Sequence, residues 1–222
     1  MAVIHHTIIK PTKLELLTSW LPGRPWYRGG AGEPELAAAG GFRLDDPAGE
    51  VGIEFIVVND TSGPQPVSYL APLAYRGAPL AGAEQALLGT MQHGVLGQRW
   101  IYDAGHDPVF VAELLALIAG RVRPQHRNDS DTVDHDITRS CSGDLPAPVE
   151  PGAATATDDQ EGTLLHAVPG AAVRLHRVLR PVPGGADPVP ADAAGHVAGS
   201  WDLPDGTRVR GLYVTVRPEP AG

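Results

Sequence analysis

Cysteine is almost absent from this chain, since Cys141 is the single thiol among 222 residues. One thiol cannot form an internal disulfide, so the sequence excludes a disulfide-stapled scaffold and favours a cytoplasmic location. No stretch approaches the roughly 18 consecutive apolar residues of a membrane span. The first ten residues, MAVIHHTIIK, contain neither a basic segment nor an apolar core, so we expect no signal peptide.

Positive charge is also scarce. Lys10 and Lys13 are the only lysines, and 17 basic residues face 26 acidic ones, which gives a formal net charge of −9. Such an acidic balance argues against a nucleic-acid partner and against an anionic membrane surface.

Apolar residues, in contrast, are plentiful. They make up 42% of the chain, which is enough for a sizeable core, and the length allows one or two domains. The 27 glycines and 22 prolines are many, but they stay below the roughly 25–30% at which disorder is expected. We therefore expect a globular protein with long loops.

Hydrophobic spacing predicts two helices, at residues 11–21 and 107–119. In the second helix, Asp107 is the expected N-cap and Gly120 the C-terminal stop. Pro72 lies inside a strand-like run, and proline cannot donate a ladder hydrogen bond, so we expect an edge strand or a bulge there. The predicted strands of the first half are residues 2–9, 50–58, 66–76, 87–95 and 98–103.

The second half of the sequence predicts strands and no further helix. Residues 28–49 are rich in Gly, Ala and Pro and predict a loop, and residues 121–136 are polar without periodicity and predict a linker. Asp205-Gly206 is a turn dipeptide that predicts a hairpin within residues 195–217. Further strands are predicted at 162–168 and 171–180.

Motifs that would reveal a catalytic or metal site are missing. The chain contains no G-x-S-x-G, no Walker A sequence and no G-x-G-x-x-G after a strand. His5 and His6 adjoin on a predicted strand and point to opposite faces, and Asp134-His135-Asp136 has no second histidine at zinc spacing. His106-Asp107 fits a helix cap, and Cys141 lacks the context of a nucleophile. We expect no catalytic residue, no metal and no cofactor.

Aromatic side chains are the remaining candidates for a binding surface. Trp26, Tyr27, Arg28 and Trp100 could together form a surface for a ligand or a partner, because rings beside an arginine can stack on a sugar or grip a carboxylate. The alternative is that the rings pack in the core, where large aromatics are usually found.

Two stretches resemble the N-terminal cap of actinobacterial maltokinases and related aminoglycoside-phosphotransferase-like sugar kinases. The first is LTSWLPGRPWYRGG at residues 17–30. The second extends from YLAPLAYRGAPL through RWIYDAGHDPVFVAELLALIAG, and it contains the strand pair and helix start that are typical of the cap. The resemblance implies a curved antiparallel sheet packed on helices.

A weaker resemblance continues towards the C-terminus. Residues 171–188 and 195–218 are similar to strands of a kinase N-lobe, and Arg174 falls at the position of the ATP-orienting lysine. Arginine keeps the positive charge but not the compact geometry of an ammonium group. The 222 residues end near the expected hinge, so the catalytic and magnesium-binding carboxylates of the family's C-lobe have no counterpart here.

We therefore expect an α+β protein with a cap-like domain at 1–122, a linker at 123–135 and a reduced N-lobe-like β module at 136–222. The first functional hypothesis is a non-catalytic binding or regulatory module near cytoplasmic α-glucan, maltose or trehalose metabolism, with a protein or a sugar as partner. The second is half of a split sugar kinase that a separate C-lobe completes. The third is a branching or hydrolytic α-glucan enzyme.

Overall fold

A computed structural model describes residues 9–129, 131–142, 154–182 and 192–218. Within these residues, two α-helices, α1 (Lys13–Trp20) and α2 (Pro108–Ile118), accompany thirteen strands. In chain order the strands are β1 (Ile9–Lys10), β2 (Leu36–Leu44), β3 (Val51–Asp60), β4 (Val67–Arg76), β5 (Leu87–His93), β6 (Gly97–Asp103), β7 (Gln125–His126), β8 (Thr138–Cys141), β9 (Thr155–Asp159), β10 (Gly162–Val168), β11 (Ala171–Leu175), β12 (Gly195–Asp202) and β13 (Arg208–Pro218).

All strand pairs are antiparallel, and the strands form one curved sheet. Its order is β1-β5-β6-β4-β3-β2-β12-β13-β11-β10-β9, with β7 beside β2 and β8 beside β12. The expected α+β class with a curved antiparallel sheet on helices is confirmed. Strands from both sides of the expected linker enter this sheet, while the division into domains at 123–135 stays a prediction.

The predicted second helix is confirmed, together with both of its ends. The Asp107 side chain accepts a hydrogen bond from the Val109 N–H at 2.9 Å, as an N-cap does. At the other end, Gly120 has a φ of +77°, and the N–H of Arg121 reaches the carbonyl of Ala116 at 2.9 Å. This left-handed glycine with a back-reaching hydrogen bond is a Schellman stop.

The first helix begins later than its pattern predicts. Thr12 is the N-cap, and Thr12 and Glu15 form a reciprocal capping box with hydrogen bonds of 3.2 and 2.6 Å. Pro11 therefore precedes the helix instead of lying in its first turn. The expected strand at 2–9 falls, except for Ile9, outside the described residues.

Residues 36–44, expected to be part of a loop, form strand β2. The strand has a bulge between Ala38 and Gly40, and Gly41 has a φ of +124°. A Cβ on Gly41 would lie 1.9 Å from the Phe55 carbonyl oxygen, and one on Gly40 would lie 3.2 Å from Trp201. The glycines that suggested a loop are thus needed for the bulge and for the close approach of β12.

The expectation of an edge strand or a bulge at Pro72 is wrong, because β4 is an interior strand and pairs with β3 without a register shift. The amide of Leu70 donates away from β3, to the Arg177 carbonyl at 2.9 Å, so alternation directs the Pro72 nitrogen to the same side. On that side the ladder with β6 begins only at Leu73. Pro72 therefore lies between the pairing of β4 with residues 177–179 and its pairing with β6, where no ladder hydrogen bond needs an N–H.

The expected strand at 171–180 ends at Leu175, but the chain beyond it closes the middle of the sheet into a ring. Residues 176–182 continue beside β13, with a hydrogen bond from His176 N to Tyr213 O at 2.9 Å. They also reach β4, where Leu179 N donates to Ser68 O at 2.9 Å. Strands β4, β3, β2, β12 and β13 and this segment thus surround a common core.

Apolar side chains pack on both faces of the β3–β4–β6 region. Helix α1 covers one face through Leu17 and Trp20, together with Trp26. Helix α2 covers the other through Phe110 and Leu114, in a larger core that also contains apolar side chains of β10–β13. This arrangement follows from the alternation of side chains along each strand.

Arg177 is fully buried where the ring closes. Its Nη2 donates to Asp103 Oδ1 at 2.5 Å, its Nε donates to Thr163 Oγ1 at 2.7 Å, and its guanidinium lies 5.3 Å from the centre of the Trp26 ring. A single side chain thereby connects the end of β6 with β10 and with the aromatic cluster below α1.

We predict that Arg177→Met lowers the free energy of unfolding by about 3–5 kcal/mol, because it leaves the Asp103 carboxylate buried without its partner. The matched control is Arg174→Met, which removes an ion pair with the half-exposed Asp159 and should cost about 0–1 kcal/mol. Urea unfolding of both variants measures the difference. Equal losses would contradict this role of Arg177.

Candidate functional site

Trp26 has no exposed surface. Its ring contacts Trp20 edge-on at 5.6 Å and Tyr69 at 5.9 Å between ring centres, and Arg177 lies over it. A ring enclosed in this way cannot stack on a ligand, so in this structure Trp26 belongs to the core and not to the candidate surface.

Tyr27 and Arg28 lie at the border between the α1 region and the β9–β10 hairpin. The Tyr27 hydroxyl donates to Asp60 Oδ2 at 2.9 Å, and burial raises the pKa of that hydroxyl. Arg28 is exposed, and its Nη2 reaches the Gln160 carbonyl at 3.3 Å. Arg28 thus reaches the β9–β10 hairpin, whereas the Tyr27 hydroxyl is bound to the end of β3, and Arg28 is the more accessible of the two.

Trp100 lies in another part of the molecule from Trp26. It is half-buried on β6, pairs with Arg76 and Thr90 on the neighbouring strands, and packs against the larger core. Trp26 and Tyr27 belong to the smaller core on the opposite sheet face. The four residues expected to form one surface are thus not brought together.

Arg174 lies in a row of polar side chains that crosses four strands. The row faces away from the core, because its chain neighbours, such as Val197 and Val216, point inward. From β8 across β12 and β13 to β11, the aligned residues are Ser140, His196, Thr215 and Arg174.

Arg174 itself is engaged with the neighbouring hairpin. Its Nη1 donates to Asp159 Oδ1 at 2.9 Å, and this bond holds the pKa of the Asp159 carboxyl below its ordinary value. The guanidinium therefore connects β11 to the end of β9, at the position where the resemblance places a nucleotide-orienting lysine.

Two histidines flank the buried Thr215 hydroxyl. His196 Nδ1 lies 2.9 Å from Ser140 Oγ, and His176 Nε2 lies 3.1 Å from Thr215 Oγ1. The pKa of His176 is lowered to about 4, mainly by burial and then by the charges of nearby arginines. An imidazole with so low a pKa is neutral and a weak base at neutral pH, so His176 is poorly suited to proton transfer.

The other sequence candidates form no reactive centre. Cys141 is half-buried opposite Gly195, and Asp107 caps α2, as the sequence predicted. Within residues 9–129, 131–142, 154–182 and 192–218, no three His, Cys, Asp or Glu side chains are grouped so that they could hold a metal ion. His5 and His6 lie outside these residues.

Sequence reasoning missed the buried Arg177, although a signal was present. Leu175, Arg177 and Leu179 alternate with more exposed residues, so period-2 spacing places all three on the inward face. An arginine in such a position requires a buried acceptor, and Asp103 provides it.

Residues 20–107 match the family model of the maltokinase N-terminal cap domain. The match begins at Trp20 and ends at the α2 N-cap, so it includes Trp26, Asp103 and Asp107 but not Arg174. It confirms the resemblance of this segment to the maltokinase cap. No curated protein matches the chain significantly. Neither described helix has the length and apolar character that a membrane crossing needs.

We predict that Trp26→Ala, within the cap-matched segment, lowers the free energy of unfolding by about 3–5 kcal/mol, because it leaves a large cavity. Trp100→Ala is the matched control and should cost less, because that ring is half-buried. Chemical denaturation followed by circular dichroism measures both. An unchanged stability of Trp26→Ala would show that the ring is not enclosed.

We predict that His176 makes folding sensitive to acid. Its pKa in the folded chain, about 4, lies below the ordinary value of 6.5, so protonation favours the unfolded chain. The stability is therefore complete above about pH 6.5 and falls by up to about 3 kcal/mol as the pH drops to 4.

His176→Gln should remove this part of the pH dependence, whereas the exposed His166→Gln should leave it unchanged. Urea unfolding of both variants at several pH values between 4 and 7 makes the comparison. A wild-type slope retained in His176→Gln would contradict the assignment.

Proposed function

We propose that this chain is a non-catalytic binding or regulatory module of the maltokinase-cap type, which acts in α-glucan, maltose or trehalose metabolism. The observation that carries the proposal is the match of residues 20–107 to the cap domain, in which every buried carboxylate accepts hydrogen bonds that hold the fold. These carboxylates are Asp46, Glu54, Asp60, Asp103 and Asp107.

The partners of these carboxylates are structural. Asp107 receives a two-pronged hydrogen bond from Arg76, with distances of 2.6 and 2.8 Å, and Glu54 pairs with Lys13 and Tyr75. A carboxylate fixed in this way is not free to exchange protons with a substrate or to take up magnesium without breaking the fold. The matched segment is therefore suited to a structural role, in which it holds a binding surface in place.

The second candidate function is half of a split sugar kinase, and the polar row that contains Arg174 favours it. Ser140 and Arg174, at the two ends of the row, keep exposed or partly exposed side chains that a second polypeptide could contact, whereas His196 and Thr215 between them are already buried. The buried carboxylates of the cap-matched segment give no support to a branching or hydrolytic α-glucan enzyme, because none is available as an acid or a base.

A coupled assay for ATP consumption tests the proposal. With maltose, ATP and Mg²⁺, we expect the purified chain to show no turnover above that of a boiled sample. Maltose-dependent turnover that Arg174→Ala abolishes would overturn the non-catalytic function.

The split-kinase alternative needs a separate measurement. We expect the tagged chain, purified from its native host, to bring down no kinase C-lobe polypeptide in equal amount. A stoichiometric C-lobe partner that restores maltose phosphorylation with wild-type chain, and not with Arg174→Ala, would favour the alternative instead.

A further inference from the structure

A groove lies between residues 135–138 and the β12–β13 hairpin, at the opposite end of β12 from His196. Its volume is about 450 Å³, which falls in the range of pockets for small metabolites. It lies outside the cap-matched segment. The lining residues are His135, Asp136, Thr138, Ser200, Arg208, Val209 and Arg210.

The groove already holds one carboxylate, that of Asp136. Its Oδ2 accepts from the Ser200 N–H and from Arg208 Nη2, both at 3.1 Å, and its Oδ1 accepts from Ser200 Oγ at 3.0 Å. Arg210 Nη1 lies 3.5 Å from the same Oδ1 and 2.6 Å from the Asp136 carbonyl oxygen. Backbone, hydroxyl and guanidinium donors thus converge on one oxyanion, as in charge-assisted carboxylate recognition.

The basic side chains of the groove differ in how exposed they are to solvent. The Arg208 side chain is 56% exposed, whereas that of Arg210 is 12% exposed and lies deeper. His135 is exposed on the rim. Two guanidinium groups, those of Arg208 and Arg210, line the groove together with the Asp136 carboxylate.

We propose that this groove binds a small oxyanion, a carboxylate or a phosphate group on a small molecule, which competes with Asp136 for Arg208 and Arg210. The Asp136 carboxylate occupies the donors that the ligand would use. Asp202 also pairs with Arg208, at 3.1 Å, so the ligand would compete with two carboxylates for this guanidinium. The proposal does not depend on the function of the cap-matched segment.

The test uses the whole chain and two probes, inorganic phosphate and acetate, at constant ionic strength, because salt screens exposed charges. The ring-proton NMR signal of His135, on the rim, reports binding at the groove, and circular dichroism shows that each variant is folded. Saturation by phosphate alone indicates a phosphate ligand, and saturation by acetate alone indicates a carboxylate.

Arg208→Gln should weaken binding about tenfold, since it removes one charge-assisted donor. The side chain is exposed and forms only surface ion pairs, so we expect the variant to fold. Asp136→Asn keeps the shape of the side chain and removes the competing charge, so it should tighten binding several-fold. The matched control is Arg217→Gln, which breaks a surface pair with Asp192 elsewhere on the chain and should bind as the wild type does.

Three results would overturn the proposal: no saturation by either probe, equal affinities of Arg208→Gln and Arg217→Gln, or an Asp136→Asn variant that binds no more tightly than the wild type. The last of these would show that Asp136 does not compete with the ligand.

Discussion

The buried ion pair between Arg177 and Asp103 is the constraint on which the rest of the architecture depends. A buried guanidinium needs a hydrogen-bond acceptor to replace the water it has lost. Asp103 is that acceptor for Arg177, so the fold must bring these two residues together. Asp103 ends β6, and Arg177 lies in the segment that closes the ring through the backbone of Leu70. The pair therefore fixes the end of the cap-matched segment against strands far along the chain.

The same junction determines what the aromatic residues can do. The rings of Trp20, Trp26 and Tyr69 form a connected cluster below α1, with Arg177 over one ring and Arg24 over another. Tryptophan and arginine side by side are typical of ligand surfaces, but here the arrangement is turned inward and stabilises the fold. Composition alone does not distinguish the two uses, because they differ in whether the ring is exposed, and Trp26 has no exposed surface.

Local signals in the sequence predicted much of the fold. The ends of α2, the β12–β13 hairpin and strands β3 to β6 follow from caps, turn residues and alternation, which act over a few residues. Strand β2 was missed because its glycines serve a bulge and a contact with Trp201, some 160 positions away in the chain. The interior placement of Pro72 and the pairing of Arg177 with Asp103 likewise depend on partners that local patterns do not contain.

The candidate site was less predictable than the fold, again because it depends on residues that are distant in the sequence. Asp134-His135-Asp136 has the composition of a solvated run of charged residues. Asp136 acquires its hydrogen-bond donors, Ser200 and Arg208, only because the β12–β13 hairpin packs beside it. The cap-matched segment, in contrast, has its buried carboxylates committed to the frame. The family match ends at residue 107, and the groove around Asp136 lies beyond it.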